Sequence, residues 1–173
     1  VASPAPGVTV DLLPGVLPSL GTHLRFSDGA LWALTGGNPR SASTGAQPVR
    51  LVRVQNGSID STLEVAASGE AVGLAPAPET RRVSGSTIHA SAMSPLLVGA
   101  NDASFGAIHR VDGEGQQPAL STPEPLLAMD AAAGAVLGVV CRTGKLVVLT
   151  AGGASAELSE PCPARGVTMA VQP

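Results

Sequence analysis

The chain has 173 residues, 44% hydrophobic and 13% charged, a balance that suits one domain able to bury a sizeable core. Ten basic residues against thirteen acidic ones give a formal charge of −3, and no run of like charge exceeds Arg81-Arg82, so a nucleic-acid surface has no electrostatic support. No segment offers the roughly 20 consecutive apolar residues of a membrane-spanning helix; residues 126–141 come closest and include Asp130.

Twenty-one Gly and fifteen Pro favour many turns over long helices. Residues 1–21 read as a Pro-rich N-terminal arm, within which residues 8–13, VTVDLL, alternate like an edge strand. Because the chain opens on Val1, with neither an initiator Met nor a charged stretch followed by an apolar one, the expectation is a processed protein or a piece of a longer one. Residues 22–173 are expected to form one repeat-built domain that is incomplete on its own.

In the first unit, strands are predicted over residues 24–26, 30–35, 49–55 and 59–65, with Asn56-Gly57 as a two-residue hairpin turn. A middle unit takes residues 87–91, 96–100, 105–111 and 118–121, with Asp112-Gly113 turning the last hairpin and residues 71–75 as an extra or alternative first strand. Residues 126–153, LLAMDAAAGAVLGVVCRTGKLVVLTAGG, then read as three strands broken at Ala133-Gly134 and Thr143-Gly144. A helix there would enclose Gly134 and Gly138 at about 1 kcal/mol each. Residues 135–141 suit a central strand buried on both faces. At the other end, residues 167–172 read as a strand that begins a further unit.

The stretch Gly29-Ala30-Leu31-Trp32-Ala33-Leu34 echoes Gly134-Ala135-Val136-Leu137-Gly138-Val139 in register, and first strands near residues 127 and 168 follow the middle one at intervals of about 40 residues. In this pattern the chain resembles the WD40-like and related β-propeller families over residues 22–173. Their usual Gly-His and Trp-Asp dipeptides are missing, and Leu149-Thr150 stands where Trp-Asp would. The resemblance implies an all-β fold, a partial β-propeller of about three four-stranded blades plus a further strand, and a general binding role with no carried-over binding residue. A β-sandwich built from the same strands is the alternative. A closed ring needs about four to eight blades, so the remainder falls to other sequence or another chain.

Chemistry-bearing residues are few. His23, His89 and His109 form no His-x-x-x-His pair and no Cys/His zinc pattern, and each reads as structural or surface. No Gly-x-Ser-x-Gly elbow occurs, and Thr35-Gly36-Gly37 and Gly152-Gly153 lack the lysine or the helix of a phosphate cradle. Residues 112–115, DGEG, lack the spaced oxygen donors of a calcium loop. The rings Phe26, Trp32 and Phe105 are the only aromatics, too few for stacking platforms.

Cys141 and Cys162, the two cysteines, are a possible disulfide closing a loop of about twenty residues; two separate thiols are the other reading. An oxidising compartment follows only from the bond. The expectation is therefore a non-enzymatic protein-interaction or scaffold module with protein partners, no cofactor and no small-molecule ligand. Arg81 and Arg82, in the connection 76–85, are the candidate partner-binding residues. The alternatives are a secreted or periplasmic propeller-type enzyme or lectin completed by missing blades, and a structural subunit that lends strands to an assembly.

Overall fold

The computed structural model describes residues 21–36, 48–66, 69–77, 94–102, 105–112, 115–132 and 135–163. Those residues are all-β and contain no helix: twelve strands form three four-stranded antiparallel sheets. Sheet 1 holds β1 (Gly21–Ser27), β2 (Ala30–Thr35), β3 (Val49–Gln55) and β4 (Ser58–Ala66). Sheet 2 holds β5 (Glu70–Pro76), β6 (Leu96–Asn101), β7 (Gly106–Asp112) and β8 (Gly115–Thr122). Sheet 3 holds β9 (Leu126–Ala132), β10 (Ala135–Arg142), β11 (Lys145–Thr150) and β12 (Ser155–Pro161).

Each sheet is a meander in which consecutive strands are neighbours, the arrangement that short hairpin loops enforce. Asn56 and Gly57 both take positive φ, 52° and 75°, which is the primed turn whose twist matches the flanking strands. Thr143-Gly144 turns β10 into β11 in the same way.

The sheets pack in series through their first strands, β1 against β5 and β5 against β9. Alternation along β6 shows how one strand serves two cores: Leu96, Val98 and Ala100 join Trp32, Leu34, Leu51 and Val65 of sheet 1, while Leu97 joins Ile108, Leu126, Met129 and Val140 towards sheet 3. All six β6 residues are buried, as period-two alternation requires of a strand covered on both faces.

The second junction is closer than side chains alone would allow. Gly73 and Gly99 are cross-strand partners, and a Cβ on either would stand 2.5 or 2.6 Å from Met129 Cγ or Sδ respectively. Their missing side chains form the slot that Met129 of β9 fills. Met is suited to this because its unbranched, flexible side chain fits irregular gaps.

Two sequence expectations change. The first strand of the middle unit is β5, Glu70–Pro76, which the sequence offered only as an extra or alternative strand; residues 87–91 lie outside the described residues. The first strands therefore begin at Gly21, Glu70 and Leu126, not at intervals of about 40. A twelfth strand, β12, completes sheet 3 at residues for which no strand is predicted. The further strand at 167–172 and residues 1–20 of the arm expected over 1–21 lie outside the described residues, while Gly21 opens β1.

Candidate interaction faces

The residues that tie one sheet to the next also define the surfaces left over. Asn101, buried at the end of β6, donates from Nδ2 to the Leu126 carbonyl at 2.8 Å and accepts at Oδ1 from the Leu126 N–H at 2.7 Å. One side chain thereby satisfies both backbone groups at the start of β9, groups that are costly to bury unpaired. Asp28, in the β1–β2 turn, accepts from the Ser94 backbone N–H and from its hydroxyl, joining sheet 1 to the approach to β6. These bonds hold the Asp28 carboxyl below its ordinary value, the Ser94 N–H contributing most.

Gln116 donates from Nε2 to the Val65 carbonyl at 3.2 Å and lies 3.0 Å from His109 Nδ1, so β8 reaches back to sheet 1. Burial pushes the His109 imidazole down. His23 is pushed down by burial too, against the opposing effect of the hydrogen bond its imidazole donates to the Ala71 backbone. Neither His pairs with the other, and His89, together with Arg81 and Arg82, lies outside the described residues. Among the described residues no three His, Cys, Asp or Glu converge on one point.

Between sheets 2 and 3, Arg142 grips Glu124 through Nε at 2.7 Å and Nη2 at 3.0 Å, and Thr122 donates its hydroxyl to the same carboxylate. The Arg142 fork is the main reason the Glu124 carboxyl falls from 4.5 to about 2. Cys141 and Cys162 are joined as a disulfide with Cα atoms 5.7 Å apart, within the ordinary span of such bonds. It fastens the end of β10 to the chain that leaves β12, and the Cys162 N–H donates to the Gly144 carbonyl beside it.

What remains is apolar surface. Leu24 and Phe26 of β1 are 65% and 72% exposed. They pair with Ala33 and Leu31 and so share the face of the cluster Ala33, Val52 and Val54, to which, among the described residues, sheet 1 alone contributes. Ala33, Val52 and Val54 are themselves buried; the exposed part of that face is the strip along β1. On the far side of sheet 3, Ala128, Val139 and Leu146 cluster with Leu127 and Val148; no other described sheet joins them, yet the first three are buried and the last two half-buried, so this cluster is not open surface. A cleft of about 530 Å³ opens between sheets 2 and 3, walled by Leu97, Pro118 and Val136, with Arg110 at its rim 3.5 Å from Asp112.

Sequence reasoning picked none of these faces, because Leu24 and Phe26 look like ordinary strand residues until the fold leaves them uncovered. Only their alternation with His23 and Arg25 could have placed them together on one side. No helix among the described residues is long and apolar enough to cross a membrane. No family model matches this chain, and no curated protein matches it significantly.

Proposed function

We propose that the chain is a non-catalytic protein-interaction or scaffold module built on blades of the β-propeller kind, working as part of a larger protein or a multi-subunit assembly. The observation that carries this reading is the pair Leu24 and Phe26, two large apolar side chains exposed side by side on the first strand of the first sheet. Contiguous exposed apolar surface marks a place where another protein sits. Three meanders packed first strand to first strand, the arrangement of neighbouring blades, give further support.

A second reading, a secreted or periplasmic propeller-type enzyme or lectin, draws its support from the Cys141–Cys162 bond, since such bonds persist in oxidising compartments. The two readings share that compartment and divide on chemistry. Affinity purification of the native chain, followed by intact-mass analysis of the complex, separates them. The interaction module comes out with a stoichiometric protein partner that Phe26→Glu releases. A chain that comes out alone and turns over a substrate, or retains a glycan, overturns it.

A further inference from the structure

We propose that Cys141–Cys162 is a thiol-operated latch: its reduction lets the second half of β12 peel from β11 while the three sheets stay folded.

The two ends of β12 are held by different means. Its beginning follows a tight hairpin, in which the Thr150 N–H donates to the Ala154 carbonyl and the Gly153 N–H to the Thr150 carbonyl, both at 2.9 Å. From there the ladder to β11 runs regularly through Ser155, Ala156 and Glu157, and then it breaks. Val147 pairs with Glu157 and Lys145 with Pro161, so Leu158, Ser159 and Glu160 stand opposite Leu146 alone. Extra residues of this kind go unpaired and disrupt the ladder around them. Pro161, beyond the break, has no N–H to give.

Side chains do not make up the deficit. All seven residues of β12 are exposed, and among the described residues none of them belongs to an apolar cluster. The ion pair of Lys145 with Glu157 fastens the near side of the break. Past the break, the strand end is held by the Cys162 N–H, which donates to the Gly144 carbonyl at 3.0 Å, and by the disulfide. The covalent bond therefore sits where the ladder is weakest.

Its position also makes it reachable. Cys141 and Cys162 are each only half-buried, and Arg142, Thr143, Gly144, Lys145, Pro161 and Pro163 around them are all exposed. Accessible disulfides are the ones open to exchange. A dithiol reductant acts through its thiolate, which attacks one cysteine sulfur; the S–S bond breaks, a mixed disulfide forms and the other cysteine leaves as thiolate. The second thiol of the reductant then displaces the first cysteine. The reductant departs oxidised as a disulfide, and the chain has gained two electrons and two protons as two thiols. With the latch open, the β11 backbone from Lys145 to Val147 becomes a free edge, the kind to which a further strand adds.

Hydrogen exchange read by mass spectrometry, on the full chain with and without a dithiol reductant, tests the latch. Reduction should speed exchange at residues 157–163 by about tenfold or more, close to the rate of an unstructured chain, while peptides from β2, β3, β6 and β7 remain protected. Re-oxidation should restore the slow rate. The double variant Cys141→Ala with Cys162→Ser should show the fast rate without reductant, and alkylating both thiols of the reduced wild type replaces it if the variant does not fold. Unchanged exchange at 157–163, once thiol counting shows both cysteines reduced, overturns the proposal. Loss of protection in all three sheets together also overturns it, since the bond is then a staple of the whole fold. A bond that the dithiol opens only in the denatured chain does the same.

Discussion

Met129 locks sheet 3 onto sheet 2 through a slot floored by two glycines, and that fit can be broken from either side. In Gly73→Ala the new methyl carbon arrives 2.5 Å from Met129 Cγ and 3.3 Å from its Sδ. The near contact is to the middle of the side chain, which cannot swing away without leaving the slot. Overpacking of this order costs about 1–3 kcal/mol. Ala at a backbone position that tolerates it regains about 0.4–1 kcal/mol through the unfolded chain, so a net loss of about 1–2 kcal/mol is expected. Met129→Ala removes the knob and should cost about 2–5 kcal/mol, with the cavity it leaves. The double variant is the decisive case. The Gly73→Ala methyl then points into vacated space, so the pair should be less destabilised than the sum of the singles by about 1–2 kcal/mol, a coupling typical of residues in contact. Urea titration followed by circular dichroism measures all three, and fluorescence of Trp32, buried in the other junction, reports whether both junctions melt together. Strict additivity would refute the slot and with it the account of why these two cross-strand positions are Gly.

Asn101→Ala strands the Leu126 N–H and carbonyl at once, and an equilibrium unfolding curve should show a loss of about 2–4 kcal/mol; a loss under half a kilocalorie would mean the two bonds are not holding β9. Acid should weaken the fold through Glu124, whose folded-state pKa is depressed: its contribution is complete above the ordinary value of 4.5 and disappears as pH falls to about 2. In Arg142→Met that acid dependence should shrink, which a carboxyl-resolved NMR titration of Glu124 checks directly. Reduction of Cys141–Cys162, which are 21 residues apart, should lower stability by about 3 kcal/mol on chain-entropy grounds, and melting with and without a thiol reductant reads the difference.

The strands that sequence reasoning located best are those punctuated by turn chemistry. Predicted bounds for β2 and β3 coincide with the observed Ala30–Thr35 and Val49–Gln55, because each largely apolar or alternating run is bounded by turn residues, Asp28-Gly29 before β2 and Asn56-Gly57 after β3. The demotion of β5 has an instructive cause. Glu-Ala-Val-Gly-Leu-Ala-Pro is a weak strand on propensity, with Gly73 in its middle, whereas Thr-Ile-His-Ala-Ser at 87–91 alternates cleanly. Yet Gly73 is what the tertiary packing demands, since only a residue without Cβ leaves room for Met129. Propensity and packing asked for different residues, and packing prevailed. β12, Ser-Ala-Glu-Leu-Ser-Glu-Pro, was invisible for the opposite reason: every residue in it is exposed, so no buried face imposes a period. It stays in place through its ladder to β11 and the ion pair of Glu157 with Lys145, and its charges and Pro blunt an otherwise open edge. The cross-sheet partners Asn101–Leu126 and Asp28–Ser94 are 25 and 66 residues apart in sequence, beyond the reach of any local pattern.

One position recurs through the three sheets and gives the disulfide its structural meaning. At the end of the second strand, each sheet meets the chain that has just left its fourth strand. In sheet 1 the end of β2 only packs against β5, so closely that a Cβ on Gly36 would lie 3.0 Å from the Ala71 nitrogen. In sheet 2 the end of β6 is fastened by the two Asn101 bonds to Leu126. In sheet 3 the end of β10 is fastened by the covalent bond from Cys141 to Cys162. The tie strengthens along the series from close contact to hydrogen bonds to a covalent link. The first two ties are backed by a whole apolar junction with the following sheet, whereas among the described residues the third has none behind it. A crosslink is the tie that does not depend on such a junction, because it acts by restricting the unfolded chain as well as by holding the folded one. The bond therefore belongs to the architecture: it fastens the second strand of sheet 3 to the chain leaving its fourth strand, independently of any neighbouring sheet.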